Sequence, residues 1–109
     1  MATRTKVLVV DGDLDTLSKI YLSLLHRNYK VEAADKAEEI GERIKRFKPA
    51  VLILGKKIYD AVQEALKVPG ILLLERSESL PQQWKDDLVA IYKPVQIEEL
   101  VRTIDDLVI

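Results

Sequence analysis

The chain has 109 residues, 48% of them hydrophobic, a size and composition that suit a single domain spanning residues 1–109 around one core. Its 17 basic and 18 acidic residues leave a net charge of −1, so no electrostatic footprint for nucleic acid or anionic lipid stands out. The absence of cysteine excludes a disulfide framework and a thiolate metal site, and the start Met1 to Lys6 lacks the apolar stretch of a signal peptide. No apolar run reaches membrane-spanning length. The expected address is therefore cytoplasmic, with neither nucleic acid nor membrane as a direct partner.

Short apolar runs alternate with stretches of helical period. Lys6 to Val10 is continuous and Val-rich, as expected of a central parallel strand covered on both faces. From Leu14, the spacing of Leu17, Ile20, Tyr21, Leu24 and Leu25 predicts a helix, with Asp13 or Asp15 suited to its positive end and His26-Arg27-Asn28 to its finish. Val31 to Ala34 reads as a second strand, and Ala37, Ile40, Ile44 and Phe47 as a second helix that Pro49 stops. A third strand, Val51 to Leu54, precedes a short helix carrying Ile58, Val62, Ala65 and Leu66.

The fourth apolar run is Ile71 to Leu74, introduced by Val68-Pro69-Gly70. Leu80, Trp84 and Leu88 predict a fourth short helix, Val89 to Tyr92 a fifth strand, and Ile97, Leu100, Val101, Ile104 and Leu107 a closing amphipathic helix. Five such units, joined by right-handed crossovers, make an α/β, doubly wound, open parallel sheet with helices on both faces. Ligands and chemistry in that architecture collect at the carboxyl ends of the strands. Those ends are Asp11-Gly12-Asp13, Gly55-Lys56-Lys57, Leu74-Glu75-Arg76 and Lys93-Pro94.

Through these strand ends the chain resembles the receiver domains of two-component response regulators, which are CheY-like and have a flavodoxin-like (βα)5 fold. The resemblance rests on the order and spacing of Lys6 to Asp11, Tyr29 to Ala34, Pro49 to Leu54, and Tyr92-Lys93-Pro94 followed by Glu98-Glu99-Leu100. It implies a five-stranded sheet in the order 2-1-3-4-5, with a shortened third helix because few residues separate Gly55 from Leu74. In the family, acidic residues after strand one and a phospho-accepting aspartate after strand three hold magnesium, which lets a phosphate approach a carboxylate. Here Asp11 takes an acidic-pocket position, Gly12 replaces its acidic neighbour, and Asp13 follows.

Gly55 stands where the phospho-acceptor would be and offers no side-chain nucleophile. Leu74, or Glu75 if the register slips by one, stands where the family places a hydroxyl, and Ala90 where it places a switching aromatic. The lysine persists as Lys93, followed by Pro94. Without a phosphoryl group, Lys93 is expected to pair with Asp11 or Asp13. Those two carboxylates are read as a helix cap and ion-pair partners, with weak magnesium binding as the alternative. Lys56 is read as either neutralising the pocket or solvated, Lys57 as solvated, His26 as helix-terminal, and Glu75 and Arg76 as loop residues that pair with each other or with a partner.

The expected function is that of a pseudo-receiver: no catalysis, no cofactor, and phosphorylation-independent contact with a protein partner or a second copy. The family's docking face of helix four, strand five and helix five contains Trp84, Tyr92, Ile97 and Val101, Trp84 serving either as anchor or as core. Two alternatives stand beside this. One is a small-molecule or nucleotide-binding domain using the pocket above the strand ends, where Gly12 and Gly55 leave room; the other is a purely structural dimerisation domain.

Overall fold

The computed structural model describes residues 4–62, 67–78 and 88–108, and in it the apolar runs become five strands. They are β1 (Lys6–Val10), β2 (Lys30–Ala34), β3 (Val51–Gly55), β4 (Gly70–Leu74) and β5 (Leu88–Tyr92). All pair in parallel, in the order β2-β1-β3-β4-β5, which is the flavodoxin-like arrangement. Between them lie α1 (Leu14–His26), a 3-10 turn (Ala37–Glu39) that runs into α2 (Ile40–Phe47), α3 (Lys56–Ala61), and the final helix α4 (Ile97–Val108).

Alternation along each strand sorts the core into two layers. Val7, Val9, Val51, Ile53, Ile71 and Leu73 face α1 and α4, where Leu17, Ile20, Leu24, Leu100 and Ile104 close over them. Leu8, Val10, Leu52 and Leu54 face the opposite layer, against Ile40, Phe47 and Ile58 of α2 and α3. Since both faces are covered, β1, β3 and β4 are apolar at nearly every position rather than alternating. Each fully buried aliphatic side chain contributes about 1.5–3 kcal/mol.

Local chemistry sets where the helices begin and end. Asp13 has an extended backbone and accepts from the Asp15 and Thr16 N–H groups, which otherwise have no partner in the first turn. At the other end, Asn28 adopts a left-handed conformation with φ 68°, and the Tyr29 N–H returns to the Leu24 carbonyl. Lys48, at φ 54°, closes α2 in the same way just before Pro49. Tyr29 then ties α1 to α4 through its hydroxyl, which donates to Asp105 Oδ1 at 2.9 Å. Burial, reinforced by that carboxylate, pushes the phenol up to about 12.

Three details differ from the sequence reading. Leu88, expected on a fourth helix, opens β5 and is buried beside Leu72 and Leu74, because an apolar residue at strand spacing fits the sheet as well as a helix stripe. The remainder of that predicted helix, including Leu80 and Trp84, lies outside the described residues. The short third helix starts earlier than expected: Gly55 ends β3 and Lys56 begins α3 directly, so Lys56 and Lys57 are helical rather than loop residues. Val62 already has extended dihedrals and ends α3; Ala65 and Leu66, assigned to the same helix, lie outside the described residues.

Candidate functional site

Parallel pairing brings every strand's carboxyl end to one rim. The register Val10↔Leu54, Gly55↔Leu73 and Leu74↔Tyr92 places Asp11, Gly55, Glu75 and Lys93 close together at that rim. Lys93 is the hub. Its ammonium lies 3.0 Å from Asp11 Oδ2, 3.3 Å from Glu75 Oε1 and 3.7 Å from Asp13 Oδ2. The expected pairing of Lys93 with the two aspartates is present, and Glu75 joins it.

The peptide bond between Lys93 and Pro94 is cis, and the Lys93 N–H donates to the Leu74 carbonyl at 2.8 Å. That bond extends the β4–β5 ladder by one residue and positions the base of the lysine stem. Burial by itself would lower the Lys93 pKa. The Asp11 carboxylate, and after it Glu75, outweighs burial and holds the ammonium above its ordinary value.

Asp11 is the only polar residue among the buried ones described, and its side chain is 7% exposed. Its Oδ1 accepts the Asp13 N–H at 2.9 Å, which orients the turn into α1. Its Oδ2 faces the Lys93 ammonium but off the hydrogen-bonding direction, and has no aligned donor among the described residues. The charge is therefore compensated by proximity rather than by a directed bond. Asp13 is more open. The Thr16 hydroxyl donates to its Oδ2 at 2.8 Å, and this bond leads the effects that hold Asp13 below the usual carboxylate range, with burial opposing and Lys93 assisting.

The two glycines of the rim are not equivalent. A Cβ added to Gly12 meets nothing within 4 Å, whereas one added to Gly55 would lie 2.8 Å from Asp11 Oδ1, 2.9 Å from its Cγ and 3.0 Å from Oδ2. The Asp11 carboxylate thus packs directly against the end of β3. Gly55 has φ −67° and ψ 154°, a conformation open to any residue, so what matters there is space and not backbone freedom.

Leu74 is fully buried with Leu72 and Leu88 and turns away from the rim, while the next residue, Glu75, reaches Lys93. The pocket therefore has a carboxylate where the resemblance implies a hydroxyl. The alternative register, with Glu75 rather than Leu74 at the pocket, is the one the rim shows, whereas the contact of Glu75 with Lys93 was not among the expected pairings. Ala90 packs beside Leu72 and Leu88 and supplies no aromatic. Lys56 does not enter the cluster: it pairs with Asp60 one turn along α3, at 2.6 Å. Lys57 is exposed, and His26 is the last residue of α1.

Over this cluster lies an open cleft of about 540 Å³, lined by Asp13, Thr16, Glu75, Arg76, Ser77, Lys93 and Pro94. Among the described residues no group of three His, Cys, Asp or Glu side chains is placed to hold a metal ion. Magnesium is a poor fit to what stands there. Gly12 and Gly55 supply no carboxylate, and the buried Asp11 oxygen already faces an ammonium. Of the residues expected on a docking face, Tyr92 is 51% exposed at the β5 edge, whereas Ile97 and Val101 are half-buried against the α1–α4 core layer. No helix of the described residues is long and apolar enough to cross a membrane.

No family model matches the chain, and no curated protein does. Solved structures do. A CheY-like response regulator receiver domain protein from Methanospirillum hungatei superposes with a TM-score of 0.75 at 19% identity, over 97% of this chain and 94% of that one. A response regulator receiver domain protein from Bacillus halodurans matches at 0.71 and 19%, over 96% and 97%. A chemotaxis response regulator of Vibrio cholerae matches at 0.68 and 19%, over 96% and 99%. Over nearly its whole length, the chain has the fold of response regulator receiver domains.

Proposed function

We propose that the chain is a receiver-like signalling module that acts through protein contacts without aspartyl phosphorylation and without catalytic turnover. One observation carries this reading: the space and charge that a phosphoryl group and its cation would need at the rim are taken by Asp11, packed on Gly55, and by Lys93, shared among three carboxylates. An incoming phosphate would have to compete with those carboxylates for the lysine. It would also find no nucleophile at position 55. The partner is a protein or a second copy, engaged at the β5 edge where Tyr92 is exposed, and the working compartment is the cytoplasm.

The test is incubation with acetyl phosphate, and separately with beryllofluoride and magnesium, followed by intact mass and amide NMR spectra. Unchanged mass and unchanged resonances around Asp11 and Lys93 are expected; a phosphoryl adduct or shifts confined to the rim would overturn the proposal. The open cleft favours a second reading, a small anionic ligand held by Arg76, Ser77 and Lys93. Against it stands the neutralised state of Lys93 and the lack of a Gly-rich phosphate loop. A thermal-shift screen with nucleotides decides between the two, since the favoured reading expects no stabilisation.

A further inference from the structure

We propose that the open edge of β2, together with the flank of α1 above it, is an interface for a second copy of this chain, paired about a two-fold axis at Val31. It does not rest on the function proposed above, which places a partner at the opposite edge of the sheet. β2 stands last in the strand order and, among the described strands, pairs only with β1. The Lys30 N–H donates to the Thr5 carbonyl and the Ala34 carbonyl accepts the Asp11 N–H, so the alternating main-chain groups of Val31 and Ala33 point away from the sheet. Among the described residues those groups have no partner.

The surface beside this edge is apolar on one side and charged on the other. Three of the five large apolar side chains exposed among the described residues, Leu14, Leu22 and Leu25, belong to α1. With Ser18 and Tyr21 they recur at helical spacing along one flank, while Arg27 on the other flank reaches Glu98 of α4. The apolar flank borders a groove of about 490 Å³ along the edge, bounded on its far side by Glu32 and Arg43. An apolar helix flank above an unpaired strand edge favours the addition of another strand.

A second β2, laid antiparallel, fills the groove and satisfies the edge, and the charges of Lys30-Val31-Glu32 select its register. With Val31 opposite Val31 of the second copy, the two exchange both main-chain hydrogen bonds. Lys30 of each copy then lies across from Glu32 of the other, giving two complementary pairs on the face toward α2. Centring the pair on Glu32 instead would set two glutamates opposite one another, which is unfavourable. In the favoured register α1, which lies over β2, stands beside its symmetry mate on one face of the joined sheet, and the leucine flanks meet. The contact is isologous and uses up the β2 edge of both copies, so it stops at a dimer.

The experiment is sedimentation equilibrium over a concentration series, on the parent and on Lys30→Glu, Glu32→Lys, Leu22→Asp and Tyr92→Ala. The parent is expected to approach twice the chain mass. A parent that stays monomeric up to about 1 mM overturns the proposal and leaves the groove to a strand of a different protein. Lys30→Glu and Leu22→Asp, both at exposed positions, are each expected to weaken dimerisation by at least about fivefold. A smaller loss from either, or an equal loss from Tyr92→Ala at the opposite edge, overturns the proposal.

The register has its own test in a mixture of two variants. Lys30→Glu and Glu32→Lys each put like charges opposite in their own dimers but opposite charges in a mixed one, so the mixture is expected to associate at least about fivefold more tightly than either variant alone. Mixing without that gain overturns the pairing. If Glu32→Lys, which also loses its contact with Arg43, does not fold, the decision rests on Lys30→Glu, Leu22→Asp and Tyr92→Ala as stated.

Discussion

Two clusters in this molecule have the same composition, a single cation among carboxylates, and differ in where they sit. At the strand-end rim, Lys93 meets Asp11, Glu75 and Asp13, with the lysine 12% and Asp11 7% exposed. Beside the edge strand β2, Arg43 of α2 meets Glu32 at 3.1 Å and Glu39 at 3.3 Å, with the arginine 26% and both glutamates 40% exposed. Glu39 first, and then Glu32, holds the guanidinium above its ordinary value, so by direction of shift alone the clusters look alike. They differ in what happens when one member is lost. Water can solvate Glu32 and Glu39 if Arg43 goes, but it has little access to Asp11 if Lys93 goes. Burial, rather than the number of contacts, makes a charge cluster a structural element.

The comparison can be broken most directly at Lys93. Breaking a buried pair by removing one partner costs several times more than an exposed one, so Lys93→Met is expected to destabilise by about 3 kcal/mol in urea denaturation. A loss under about 1 kcal/mol would put the rim in the same class as the β2 cluster. The pH dependence follows from the raised lysine pKa. Its contribution is complete below the unfolded value, about 10.4, and is lost as pH rises through the higher folded value, so the alkaline fall in stability should be shallower in Lys93→Met.

A smaller effect belongs to Asp13, which joins the rim cluster to the start of α1. Asp13→Ala removes the cap as well as a distant charge and is expected to cost about 1 kcal/mol. Because its folded pKa is lowered, the Asp13 contribution is present above the unfolded value of about 3.9 and fades as pH falls through the folded one. The variant should therefore lose less stability than the parent on acidification below about pH 4, and equal acid limbs would remove Asp13 from the account.

The smallest effect is expected at the β2 cluster. Arg43→Met should cost less than about 1 kcal/mol, and that cost should shrink further in salt, whereas the cost of Lys93→Met should change little. Equal salt sensitivity at the two sites would erase the distinction drawn from burial.

Much of the fold was legible in the linear chain because it depends on local pattern. Five short apolar runs separated by helical periods, with crossover handedness, lead to an open parallel sheet with helices on both faces, while its strand order was implied only by the resemblance to receiver domains; the runs at β1, β3 and β4 are buried at nearly every position. Leu88 was misplaced because a single apolar residue between two elements satisfies either period. At the rim, the pairing of Lys93 with Asp11 and Asp13 followed from charge and strand-end position. The role of Glu75 did not, since adjacent residues at a strand end point in opposite directions and only the register tells which one faces the rim: Leu74 turns into the core and Glu75 to the lysine.

Residue identity alone determined that position 55 has no nucleophile, that the chain has no thiolate chemistry, and that apolar strands alternate with amphipathic helices. Those are properties of side chains and of their spacing along one chain. The tertiary structure decided what the glycine faces. Asp11 and Gly55 are far apart in sequence, and only parallel pairing of β1 with β3 sets the carboxylate of one in the volume a side chain of the other would fill. The same holds for Tyr29 and Asp105, joined across the α1–α4 seam. Contacts of this kind depend on distances of a few ångströms between segments remote in the chain, which spacing along the sequence does not specify.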